Sequence, residues 1–179
     1  MVTTSVARTL WFSRRFTFDV ELWAYPNLVE RVRGTPARLE ERLRGLDTAT
    51  LTSKVDGRWS IQENAGHLAD LEALWSKRLD DFEAGAERLH PADLQNRATD
   101  EASHNESDIA TVLGEFRRQR EEIVHRLEQY DEAFIARTAL HPRLAQPMRV
   151  IDSVLFVAEH DDHHLATITA LLAQIRAAR

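Results

Sequence analysis

Residues 150–176 read V-I-D-S-V-L-F-V-A-E-H-D-D-H-H-L-A-T-I-T-A-L-L-A-Q-I-R, and this stretch decides the fold. Apolar residues recur at helical spacing through Val154, Val157, Ala158, Leu165, Ile168, Leu171, Leu172 and Ile175, which predicts one long amphipathic helix from Val150 to Arg176. His160 and His164 stand four residues apart, so they stack on one face, one turn above the other. Steps of three and four from Val157 pass through His160, His164, Ile168, Leu171 and Ile175. The two imidazoles therefore interrupt the stripe that faces the core. His163 falls on a more polar side with Glu159, Thr167 and Gln174.

Two stacked inward histidines admit two readings. Each can be a neutral core histidine hydrogen-bonded to a neighbour, the ordinary fate of a lone inward imidazole. Alternatively, the spacing sets two nitrogens where one divalent ion binds both. Two buried imidazoles need several polar partners, and one metal satisfies both together. A third ligand elsewhere in the chain would decide between them.

The bulk properties narrow the class. With 179 residues, 43% hydrophobic and 29% charged, and only 6 Gly and 5 Pro, the chain reads as one soluble, mostly helical domain. A net charge of −6 lacks the basic face expected of a nucleic-acid binder. No apolar run approaches the roughly 18 residues of a membrane span. The opening Met1-Val2-Thr3-Thr4-Ser5 runs to Arg14-Arg15 without an apolar signal core, so a cytoplasmic location is the expectation. The absence of Cys removes disulfides, thiolate ligands and a cysteine nucleophile.

Residues 1–25 carry Trp11, Phe12, Phe16, Phe18 and Trp23 with little helical pattern, and read as an extended arm packed on the domain; residues 26–179 form the domain itself. A helical run from Asn27 to Arg33 meets Gly34-Thr35-Pro36, where Thr35 as N-cap and Pro36 at the first helical position predict a helix start. Whether the run is two helices or one kinked helix is left open by the sequence. Ser60 and Glu63 form a capping box for a helix ending near Gly85, with Ile61, Ala65, Leu68, Leu71, Trp75, Leu79 and Phe82 inward and His67 about two turns in. Residues 86–106 read as a long connection, a crossover or a loop over a site. Ser107 or Asp108 then caps a third helix, with Ile109, Val112, Leu113, Phe116, Ile123, Val124 and Leu127 inward. Arg117, Arg118, Arg120, Glu121 and Glu122 are expected on a solvated face. Residues 130–149 read as a second connection, in which His141 and Arg143 either reach a bound anion or fix a turn.

Four amphipathic helices with long connections predict a four-helix bundle, whose metal sites are built from side chains on facing helices. His67 taken alone reads as an ordinary interior or boundary residue. Together with the pair His160/His164 it can supply three nitrogens to such a point, a His₃ set that would leave coordination positions open as in catalytic sites. The segment Trp59-Ser60-Ile61-Gln62-Glu63-Asn64-Ala65-Gly66-His67-Leu68-Ala69-Asp70 resembles the W-S-x-x-E-x-x-x-H-L-x-D signature of the DinB/YfiT-like superfamily. Glu159 to Ile168 resembles its second signature, H-x-x-H-H-x-x-x-I. The resemblance covers the chain from about Pro26 onward and excludes the arm. It implies an all-α four-helix bundle of up-down-down-up topology and a divalent metal, commonly zinc or nickel, on three histidines matching His67, His160 and His164.

The same resemblance implies a small-molecule substrate, and in characterised branches a transferase or isomerase reaction using a low-molecular-weight thiol such as bacillithiol or mycothiol. It also raises a homodimer, to which the aromatic arm is one candidate contributor. A thiol S-transferase is the first expectation, with a metal-dependent hydrolase or a non-catalytic metal-binding protein as alternatives. Asp70 and Asp161 are the candidate catalytic or His-orienting carboxylates. Glu63 is within reach of the same role, although helix capping accounts for it.

Overall fold

The computed structural model describes residues 8–178. The first seven residues of the arm, and with them the reading of the opening segment, lie outside the described residues, as does Arg179. Besides three 3-10 turns (Trp11–Ser13, Leu22–Ala24 and His104–Glu106), the described residues form, in order, α1 (Tyr25–Arg33), α2 (Thr35–Leu43), α3 (Thr48–Thr52), α4 (Ile61–Glu83), α5 (Arg97–Glu101), α6 (Ile109–Leu127), α7 (Glu132–Ile135), β1 (Thr138–His141), β2 (Gln146–Arg149) and α8 (Val150–Ala177).

The bundle consists of α1/α2, α4, α6 and α8. Side-chain registers fix its directions. Arg120 meets Glu72 and Arg126 meets Ser76, so α4 and α6 run parallel. Arg33 meets Glu128 while Arg117 meets Glu40, so α1/α2 runs antiparallel to α6. Trp75 meets Phe156 and His67 meets His164, so α4 and α8 are antiparallel neighbours. This is the up-down-down-up arrangement, and parallel α4 and α6 require the long crossover at residues 84–108.

The first bundle helix is a rod interrupted only at Gly34, between α1 and α2. Gly34 stays in right-handed helical conformation, and its N–H donates to Glu30 O. Pro36 lacks the N–H that would close on Val32 O; Arg120 Nη1 donates to that carbonyl instead, at 2.9 Å. Thr35 does not cap a helix as the sequence suggested. It lies inside the rod, fully buried, and its hydroxyl donates to Asp161 Oδ2 at 2.7 Å.

Arg120 corrects a second expectation. It is 1% exposed rather than solvated, and it donates bidentately to Glu72 and to Asp161. Val32, Thr35, Glu72, Arg120 and Asp161 thus join all four bundle helices in one buried polar layer. Burial pushes Glu72 up to about 7 against the pull of Arg120. The layer divides the apolar core into a half around Trp75, Ile123 and Val154 and a half around Leu68, Phe116 and Ile168.

Residues 130–149 are more than a connection. They hold α7 and an antiparallel hairpin in which Thr138 pairs with Arg149 and His141 with Gln146. Leu89 N–H donates to Leu140 O, tying the crossover to this hairpin. Residues 8–24 wrap over α8 and the hairpin in two short 3-10 turns without a strand. Arg149 donates to Val20 O, Gln146 donates to Phe16 O, and Trp11 lies against Phe156. No helix among the described residues is long and apolar enough to cross a membrane.

Candidate metal centre

α4 and α8 place three imidazoles together at their crossing. The Ser60–Glu63 capping box starts α4 at Ile61, which sets His67 level with the middle of α8. His67, His160 and His164 each offer a ring nitrogen, and these atoms lie within 4.8 Å of one another. The side chains are 4%, 4% and 7% exposed. Burial lowers His67 to about 4, and burial with the neighbouring imidazoles holds His160 and His164 well below their usual value. All three are neutral at pH 7, which is the form that ligates a metal.

Hydrogen bonds fix two of the tautomers. Thr99 Oγ1 donates to Asp70 Oδ2 at 2.7 Å, so its single proton is committed. The Thr99 oxygen therefore accepts from His67 Nδ1–H at 2.9 Å, leaving His67 Nε2 with a free lone pair. Asn64 Nδ2 donates to Ser60 O at 2.7 Å, which orients the amide; Asn64 Oδ1 then accepts from His164 Nδ1–H at 2.9 Å. His164 likewise presents Nε2. His160 Nδ1 is buried and has no hydrogen-bond partner among the described residues. Three neutral nitrogen donors on facing helices, two held in the ligating tautomer, fit a divalent cation.

The candidate carboxylates separate. Asp70 does not touch His67 directly but holds Thr99, and it also accepts from His104 Nε2 at 2.9 Å. Asp161 is corrected as a site residue: it is bound by Arg120 and Thr35 and is absent from the cavity wall. Glu63 accepts from Ser60 N–H and pairs with Lys54, so it caps α4 and goes no further. His163 is not on a merely polar face. It lines the cavity with its Nδ1 accepting from Arg14, and burial beside Arg14 lowers it to about 4.

Asn64, Thr99 and His104 escaped the sequence reading. One signal was present for His104: a glycine in mid-helix beside His67. A Cβ on Gly66 would lie 2.3 Å from the His104 ring, so only glycine lets that ring reach Asp70.

A cavity of about 570 Å³ opens over the three histidines. Trp59 covers His67 at 4.8 Å between ring centroids, and its indole N–H donates to Asp100. Trp11, from the arm, stands 5.0 Å from His160, and Trp75 5.8 Å. Leu71, Leu74 and Phe156 continue the apolar wall.

Residues 31–168 match the sequence pattern of the DinB superfamily. Among solved structures, the chain is similar to YfiT from Bacillus subtilis, described as a probable metal-dependent hydrolase with an unusual four-helix bundle topology. The TM-score is 0.78 at 17% identity, over 90% of this chain and 93% of that one. No curated protein matches the chain.

Proposed function

Because the chain belongs to the DinB superfamily, we propose from its buried histidine triad that it is a divalent-metal-dependent enzyme, and that its reaction is transfer of a low-molecular-weight thiol to an electrophile. The observation that carries the reading is the convergence of three neutral imidazoles beneath an apolar cavity. His67, His160 and His164 would hold the ion. When bound, a divalent ion there supplies Lewis acidity that lowers the pKa of a thiol or water reaching it, since three neutral ligands leave its charge uncompensated.

The surroundings favour a thiol over water. Hydrolysis calls for a base to take a proton from water. Besides the three clustered histidines, the described cavity wall offers Asp93, whose carboxylate is occupied by Gln95 and Arg97, and His163, weakly basic beside Arg14. It also offers His141, whose Nδ1 is taken by Leu144 N–H and which burial lowers to about 3. A thiol starts near pKa 8.5 and needs far less help. In the transfer, the thiol proton leaves to solvent, the sulfur lone pair forms the new S–C bond, and the leaving group departs with its bonding pair. Trp59, Trp11 and Trp75 line the reacting end with aromatic surface. Thr99 and Asn64 hold His67 and His164 in the tautomer that presents Nε2.

The hydrolase reading rests on the likeness to YfiT and is separated by one assay. Metal-loaded protein is given bacillithiol or mycothiol with an aryl halide such as 1-chloro-2,4-dinitrobenzene, beside 4-nitrophenyl acetate without thiol. Thioether formation that disappears in His164→Ala supports the transferase. Ester cleavage alone with the same dependence supports the hydrolase, and neither activity would defeat the enzyme reading.

A further inference from the structure

Three buried side-chain polar atoms lack a hydrogen-bond partner among the described residues: His160 Nδ1, His141 Nε2 and Arg143 Nη2. All three residues line the same cavity. Buried polar groups are paired nearly everywhere in folded proteins, so unpaired ones on a cavity wall point to a ligand. His160 belongs to the metal centre. The other two stand with Arg78 beyond the rings of Trp75 and Phe156.

Their chemistry is that of an anion site. His141 closes β1, and its Nδ1 accepts from Leu144 N–H at 3.2 Å, so the neutral ring carries its proton on the unpaired Nε2. Arg143 lies in the hairpin turn, its guanidinium 5.4 Å from the Phe12 ring and 5.8 Å from Phe156. Arg78 is buried in α4 and spends Nε on His90 O, with its guanidinium 5.4 Å from the Trp75 ring. Neither arginine has an ion pair among the described residues. Asp81, which attracts Arg78, accepts the His90 N–H, and Asp93 on the wall is taken by Gln95 and Arg97. Burial and repulsion from Arg143 lower Arg78 to about 10, and burial lowers Arg143; both remain cationic at neutral pH.

The rest of the cavity is apolar. Trp75 lies 5.8 Å from His160 and 5.4 Å from Arg78; end to end, these put the Arg78 guanidinium at most about 11 Å from the His160 ring. Leu10, Phe12 and Leu94 expose apolar side chains on the lining. We infer that Arg78, Arg143 and His141 form a carboxylate-binding subsite, and that the cavity takes an amphipathic organic carboxylate whose apolar body lies along Trp75, Phe156 and Leu71. Two planar guanidinium forks match the two carboxylate oxygens, and the His141 N–H adds a third donor. The inference rests on the metalloenzyme reading only for which end of the substrate faces His67, His160 and His164; binding of the anion stands apart from it.

The test is calorimetric titration of the full chain, as purified and after chelation, with octanoate, octanamide and octyl phosphate. Octanoate is expected to bind at least about tenfold tighter than octanamide, the loss expected for a charge-assisted hydrogen-bonded contact. The preference persists in chelated protein, disappears in Arg143→Gln, and leaves metal content per chain unchanged. Equal binding of acid and amide by the wild type overturns the subsite without recourse to any variant. So does octanoate binding that requires metal, an undiminished preference in Arg143→Gln, or octyl phosphate binding tenfold tighter than octanoate. Chelated protein that selects octanoate but never takes up metal would overturn the proposed function and leave the subsite standing.

Discussion

Thr99 is the hinge of the hydrogen-bond chain that fixes His67, and Thr99→Val removes that hinge with almost no change in side-chain shape. The hydroxyl accepts from His67 Nδ1–H at 2.9 Å and donates to Asp70 at 2.7 Å. With valine, a buried imidazole N–H loses its acceptor, at a cost of about 1–3 kcal/mol, and Asp70 keeps His104 as its remaining side-chain partner. Removing the partner of a metal-binding histidine typically weakens metal affinity about 10–100-fold. At roughly 1.4 kcal/mol per tenfold, this is the same 1–3 kcal/mol reached from the other side. The assay is zinc competition against a chromophoric chelator at pH 7, on wild type, Thr99→Val and Thr99→Ser, with circular dichroism to verify folding. Serine keeps the hydroxyl and loses the methyl, so it is expected to stay within about threefold of wild type. A folded Thr99→Val protein within twofold of wild type would refute the role assigned to the hydroxyl. Serine as weak as valine would show that packing, not the proton chain, sets the affinity.

The metal-free protein is expected to lose stability in acid. His67 falls from 6.5 unfolded to about 4 folded, so its contribution is complete above pH 6.5 and is lost as pH drops through that window to about 4. His67 alone accounts for about 3 kcal/mol, read as a falling urea midpoint between pH 7 and pH 4; a flat profile there contradicts the neutral buried triad. Gly66→Ala drives a Cβ into the His104 ring and is expected to cost about 1–3 kcal/mol in urea unfolding, despite alanine's better helix propensity. In a His104→Ala background the same change becomes neutral or stabilising, and persistence of the full penalty there would locate the strain elsewhere. Arg120→Met strands Glu72 and Asp161 in the core and is expected to cost about 3–5 kcal/mol, lowering Tm by roughly 6–20 °C. A melting curve unchanged from wild type would mean the buried layer contributes nothing net.

What the sequence revealed was local. The 3.6-residue period of 150–176, the Ser60–Glu63 capping box and the i, i+4 pair His160/His164 are each complete within a few residues of one helix, and α4 and α8 follow them closely. His67 by itself read as an ordinary interior residue. The family signature around it, together with the expectation that bundles build sites from facing helices, joined it to the pair, and the structure brings the three together. What stayed hidden depends on partners far along the chain. Arg120 sits among charged neighbours and reads as solvated; its burial is decided by Glu72 and Asp161, 48 and 41 residues away. The supports of the site show the same limit: Thr99 and His104 come from the crossover, whose composition announces only a loop. Thr35 has the sequence of an N-cap, yet Gly34 ahead of it stays in right-handed helical conformation, and the Thr35 hydroxyl finds Asp161 instead. The hairpin was obscured by its brevity, four residues a side, and by Pro147 within it.

The central claim is that His67, His160 and His164 hold one divalent ion, and metal content tests it most directly. The protein is purified without a metal-affinity tag and analysed by mass spectrometry, wild type beside His160→Ala. The account predicts close to one equivalent of a divalent metal per wild-type chain and little in the variant. A wild-type chain that arrives empty and takes up neither zinc, nickel nor manganese would contradict it, leaving three neutral core histidines beneath a cavity.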